Sequence, residues 1–129
     1  MRVLSATISL VVLNSCEVDW FRLDEHYVVV DHQAQDIRIE ADNDVSGVGF
    51  FLYQSDSKEG TYYMSGDTLF LVGDWFRLIL DKNDSRHILI SVDENQKEKT
   101  RSVLVEVNHS ALNDTVRIVQ KAKPASMME

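Results

Sequence analysis

The sequence predicts an all-β domain, an antiparallel β-sandwich of about seven to eight strands between Tyr27 and Gln120. Three observations carry that expectation. Apolar and polar residues alternate with period two in "DIRIEA", "RHILISV", "RSVLVEV" and "TVRIVQ", as in strands with one buried and one solvated face. After Cys16 no stretch of eleven or more residues keeps a helical period. Clusters of Asp, Asn, Ser and Gly separate the alternating runs, namely "ADNDVSG", "QSDSKEG", "KNDS", "DENQKEK" and "NHSALND". Such residues favour turns because their side chains bond the local backbone and tolerate positive φ.

The elements follow in order. The chain opens "MRVLSATISLVVLNSC". Arg2 supplies a short positive region and residues 3–13 a mostly apolar run of eleven, too short for a bilayer span of about 20 residues. The pattern is that of an export signal. Its end, "LNSC", resembles the lipobox of bacterial lipoproteins, with Asn14 departing from the usual small residue. Residues 1–15 are therefore expected to be a lipoprotein signal peptide and Cys16 the lipidated residue. Several acyl chains on one residue anchor stably where one would not. The alternative is a buried N-terminal strand, since "SATISLVVL" also reads as one. Residues 16–26 are expected to be a tether or an edge strand. The expected location is the cell envelope, as an outer-membrane lipoprotein; Glu17 and Asp19 follow Cys16 closely but do not decide exposure at the cell surface.

Residues 27–122 form the expected sandwich. Its core is expected to contain Val28 and Val30 (or Tyr27 and Val29), Ile37, Ile39, Phe50, Leu52, Leu69, Leu71, Ile88, Ile90, Val103, Val105, Val116 and Ile118. Residues 123–129, within "KAKPASMME", have no partner pattern and are expected to be disordered. The pentamer "DWFRL" occurs at residues 19–23 and 74–78. The residues after the two copies do not align, so they are two unlike uses of the same letters.

The bulk numbers bound the function. A length of 129 residues suits one domain, and 44% hydrophobic residues suffice for a core. A net charge of −8 repels phosphate backbones, so nucleic acid is not an expected partner. One cysteine rules out an intramolecular disulfide and a multi-cysteine zinc site.

The stretch "HILISVDENQKEKTRSVLVEVNHSALNDTVRIVQKA" resembles the C-terminal half of a BACON domain, the Bacteroidetes-associated, often N-terminal module of exported proteins. The matching features are Glu94 and Asn95 in the acidic turn, Arg101 opening the next strand, Asn113 and Asp114 in a polar turn, and Gln120 closing the last strand. "DWFRL" at Asp74 fills the slot of a tryptophan-containing element, and "YVVVDHQAQDIRIEADN" resembles the opening strands. The sequence departs from the family after Asn43, where Phe50, Phe51 and Tyr53 stand in place of a Trp. The resemblance spans residues 27–122. It implies an immunoglobulin-like sandwich and non-catalytic work, with carbohydrate suggested by the family's name and no set of binding residues to carry over.

No enzymatic constellation is legible. His26, His32, His87 and His109 do not fall at metal-ligand spacing, and no nucleophile elbow, phosphate loop or zinc-protease motif is present. Acid pairs such as Asp24 with Glu25 and Asp93 with Glu94 read as solvated turns. "ADNDVSG" and "DKNDS" gather oxygen ligands but do not match a calcium loop. The expectation is no enzyme, no metal and no cofactor. Glycan binding uses exposed rings against sugar faces. Neighbours in a strand point to opposite faces, so each "DWFR" copy offers one ring. The candidates are Tyr62, Tyr63, Trp20 and Phe76, with Trp75 packed. The partners expected are the membrane through Cys16 and a glycan. The alternative is an adhesion, spacer or accessory module whose partner is another cell-envelope protein.

Overall fold

The computed structural model describes residues 20–127. The expected signal peptide, Cys16, the residues up to 19 and the last two residues lie outside the described residues. Nine strands are present among them: β1 (Tyr27–Val30), β2 (Gln35–Glu40), β3 (Gly47–Phe50), β4 (Thr61–Ser65), β5 (Thr68–Val72), β6 (Phe76–Asp81), β7 (His87–Val92), β8 (Arg101–His109) and β9 (Leu112–Gln120). They form a four-stranded sheet in the order β1-β9-β8-β3 and a five-stranded sheet in the order β2-β7-β6-β5-β4. The chain is an all-β, immunoglobulin-like sandwich. With the β4–β5 hairpin set aside, β2, β7 and β6 form one sheet and β3, β8 and β9 the other, which is the immunoglobulin-like wiring.

Two details differ from expectation. Nine strands replace seven or eight, two of them paired as a tight hairpin over residues 61–72. Its turn needs Gly66, whose φ of 61° is the left-handed conformation that glycine adopts without steric cost. The sandwich is also not wholly antiparallel, because β1 runs parallel to β9, with Tyr27 opposite Arg117 and Val30 opposite Gln120.

The core lies between the sheets. Ile37, Ile39, Leu71, Leu78, Leu80, Ile88, Ile90 and Val92 come from the five-stranded sheet, and Val48, Val103, Val105, Val107, Val116 and Ile118 from the four-stranded one. Each such buried side chain contributes roughly 1.5–3 kcal/mol. In β1 the inward pair is Val28 and Val30, with Tyr27 and Val29 exposed. Leu52, expected in the core, is exposed, because residues Leu52–Gln54 form a 3-10 turn outside any strand. Leu23, Val45 and Phe76 are core residues that strand alternation did not reveal.

Strand register defines two ends. The Arg101 end carries Val30, Val72, Phe76, Val92 and Gln120, and the Trp20 end carries Tyr27, Glu40, His87 and His109. At the Trp20 end residues 20–26 are docked rather than free. Leu23 is buried and bridges Ala41. Its N–H donates to Asp114 Oδ2 at 2.9 Å, and His26 Nε2 lies 2.7 Å from the same oxygen. Burial pushes the Asp114 carboxyl up, but hydrogen bonds from Leu23, His26 and Thr115 and the His26 charge outweigh it and hold the pKa below the ordinary value. At the Arg101 end Lys123 N–H donates to Lys97 O at 2.9 Å, and Ala125–Met127 forms a second 3-10 turn.

Candidate functional site

The four expected rings do not converge. Trp20 is 74% exposed at its own end of the sandwich, where its carbonyl accepts from Asn43 Nδ2 at 3.4 Å. Tyr62 and Tyr63 lie on the edge strand β4, and both are exposed. Their roles differ. The Tyr62 hydroxyl donates to Val48 O at 2.6 Å, tying the edge strand to β3 across the sandwich. Burial, and secondarily the Glu106 charge, raise its pKa and keep the phenol protonated as a donor. Tyr63 points to the outer face and stacks on Phe70, centroids 4.7 Å apart and planes 7° apart.

Phe76 is a correction. It is fully buried and offers no ring to a ligand. Trp75, its neighbour, is buried too, although strand alternation would expose one of the pair. The reason is local: β6 begins at Phe76, so Trp75 sits in the preceding bend, where period two does not hold. The bend folds tightly over Phe76. A Cβ built on Gly73 would lie 2.4 Å from the Phe76 ring, so only glycine fits there.

The Trp75 indole N–H donates to Asp56 O at 2.6 Å. The Arg101 guanidinium covers its ring, 4.4 Å from the centroid, in a cation–π contact. Arg101 Nε donates to Gln120 Oε1 at 2.8 Å and its Nη2 to Asp93 O at 2.9 Å. The Gln120 amide, fully buried, donates to Asp93 O at 2.9 Å and to the carbonyls of His32 and Gln33 at 3.2 Å. Asn95 is equally buried. Its N–H donates to His32 O, its Nδ2 to the carbonyls of Lys99 and Lys121, and its Oδ1 accepts from Lys97 N–H. Asn95, Arg101, Gln120 and Trp75 thus form one connected cluster. It fixes residues 93–100 as a rigid wall.

Against that wall lies a cleft of ≈ 310 Å³ lined by Asp56, Asp74, Trp75, Lys97, Lys99 and Arg101, among others. A second hollow of ≈ 630 Å³ adjoins it, shares Asp56, Asp74, Lys97 and Lys99, and extends to Leu52 and Tyr53. Both sizes fall within the range of small-ligand sites. The opposite wall, residues 51–60, is fixed by backbone capping. Asp56 Oδ2 accepts from Ser102 N–H at 2.8 Å, Ser55 Oγ from Leu104 N–H at 2.9 Å, and Asp74 Oδ2 from Lys58 N–H at 2.7 Å. The second carboxylate oxygens of Asp56 and Asp74 and the ammonium groups of Lys97 and Lys99 have no partner among the described residues. The Tyr53 ring is 100% exposed beside them. Sequence reading missed this site because its residues come from three loops far apart in the chain, each of which reads as a turn.

Among the described residues no group of three or more His, Cys, Asp or Glu could hold a metal ion. The turn acids serve the backbone instead. Asp42 Oδ1 accepts from Arg22 N–H and Asp81 Oδ1 from Asn83 N–H.

No family model matches the chain, and no curated protein matches it. It is similar in structure to a protein from Bacteroides thetaiotaomicron solved by NMR. That likeness covers 82% of this chain and 90% of the other at a TM-score of 0.53 and 19% identity, and it is one of fold.

Proposed function

We propose that the chain is a non-catalytic, lipid-anchored binding module of the cell envelope, of the BACON type, that takes carbohydrate in the cleft at the Arg101 end. The observation that carries this reading is the wholly exposed Tyr53 ring beside carboxylates and ammonium groups without partners. A pyranose offers a C–H face to a ring and hydroxyls that donate to carboxylates and accept from ammonium groups. The ring supplies apolar contact and the fixed polar groups supply orientation. Because Asp56 and Asp74 are each held by a backbone N–H, little side-chain entropy remains to be lost on binding. The chain enters the sandwich at the opposite end, where Arg22 N–H bonds Asp42 and Leu23 N–H bonds Asp114. An anchor at Cys16 would hold that end at the membrane and turn the cleft outward.

A glycan array probed with the wild type and with Tyr53→Ala tests the ligand. Binding is expected for the wild type and a loss of tenfold or more, ~1.4 kcal/mol, for Tyr53→Ala. Wild-type binding should survive in Tyr62→Ala. No binding to plant, host or microbial glycans would sink the carbohydrate reading and leave an accessory protein module. The anchor has its own test: Cys16→Ser should disappear from the membrane fraction of the producing cell, and an unchanged membrane fraction would count against lipidation.

A further inference from the structure

The geometry points to a second site, an edge through which the chain pairs with another copy of itself: strand β4. All five of its residues are exposed, none is charged, and it holds no proline. Exposed edges are ordinarily protected by charge, proline or a bulge. The opposite edge of the same sheet, β2, carries Asp36, Arg38 and Glu40. β1 is bounded by Asp24, Glu25 and Asp31. β4 is likewise flanked by Lys58, Glu59 and Asp67, and the fourth edge, β3, holds no charge either, but β4 is the longest of the uncharged edges and the one with every residue exposed, in a chain of net charge −8.

The sequence of β4 also selects its partner. "TYYMS" is close to a palindrome in side-chain size and polarity about Tyr63. Antiparallel pairing of two copies, the arrangement a two-fold axis requires, sets Tyr63 against the partner's Tyr63, Tyr62 against the partner's Met64 and Thr61 against the partner's Ser65. Large side chains meet large ones on the inner face and hydroxyls meet hydroxyls on the outer. Backbone phase agrees. Ser65 and Thr68 close the two-residue turn, so they form a hydrogen-bonded pair, and the alternation of antiparallel ladders turns the N–H and C=O groups of Tyr62 and Met64 to the open edge. Each Tyr62 would exchange both bonds with the partner's Met64. Tyr63 would face its symmetry mate at a non-hydrogen-bonded position, where side chains approach most closely.

The outer face supplies continuity. Tyr63, Phe70, Ile79 and Leu89 lie opposite one another on β4, β5, β6 and β7 as an apolar row that ends at Arg38. Pairing joins two such rows into one across the two-fold axis. It also sets the Trp20 ends at opposite ends of the dimer. If Cys16 bears the anchor, the dimer joins chains held on facing membranes. The dimer itself does not depend on the carbohydrate reading.

The test uses the full chain carrying Cys16→Ser, so that an introduced cysteine is its single thiol. Light scattering after size exclusion at high micromolar concentration should give twice the chain mass. Met64→Pro, which deletes an edge N–H, and Tyr63→Lys should each give the chain mass with an unchanged circular dichroism spectrum. Under mild oxidation Tyr63→Cys should form a covalent dimer and Thr61→Cys should not. A monomeric parent, a dimer that survives both Met64→Pro and Tyr63→Lys, or equal cross-linking at positions 61 and 63 would overturn the proposal.

Discussion

Replacing Phe76 with alanine is expected to lower stability by about 3–5 kcal/mol, as for a large aromatic removed from a packed core. Phe76 is fully buried between two other rings. It meets Phe50 edge-on with centroids 5.1 Å apart and Trp75 edge-on at 5.2 Å, contacts that add to the area term. Gly73 presses on its far side, so the surrounding backbone cannot readily collapse into the void. Urea denaturation should show the midpoint falling with an unchanged slope. An exposed sugar-stacking ring in that position would move stability by no more than about 0.5 kcal/mol, so the same experiment separates the core role from the ligand role expected on alternation alone.

Replacing Gln120 with leucine is expected to cost about 3 kcal/mol, because leucine keeps most of the volume and removes every hydrogen bond of a buried amide. The carbonyls of His32, Gln33 and Asp93 lose a donor and Arg101 Nε loses its acceptor. Stranded buried groups cost more than a made bond gains, which is why the loss exceeds that of one average hydrogen bond. Denaturation again reads the effect. Amide hydrogen exchange should also speed up across residues 93–100, whose wall is held by Asn95 and Gln120 together. A leucine variant as stable as the wild type would mean that the cluster is dispensable.

Much of the sandwich was legible because β2, β7, β8 and β9 alternate cleanly, and there the expected inward residues are the buried ones. Reading failed where a residue lies just outside a strand. Trp75 precedes β6, so a rule that holds inside strands assigned Phe76 to the wrong side. Leu52 failed for the same reason, as part of a 3-10 turn rather than a continuation of β3. The parallel β1–β9 pair left no trace, because pairing direction is a matter of tertiary packing and four residues carry little pattern.

The site was less legible than the fold. Asn95, Arg101 and Gln120 stood out as features of a resemblance, but their hydrogen-bond partners are mostly backbone carbonyls, which a sequence does not display. Tyr53, Asp56, Asp74, Lys97 and Lys99 come from turns between different strands, and only the closed sandwich brings them together. Trp20 and Tyr62 were named for their ring chemistry alone. One stands at the far end of the molecule and the other is tied by its hydroxyl to β3.

The proposed ligand enters between residues 51–58 and 93–101. That path is read by two-dimensional amide NMR of the isotope-labelled chain titrated with an oligosaccharide that scores on the array. Shift changes are expected to cluster on Tyr53, Asp56, Ser57, Lys97 and Lys99, with the β4 amides and the amides near Trp20 unmoved. Shift changes confined to residues 61–64, or to the Trp20 end, would contradict it.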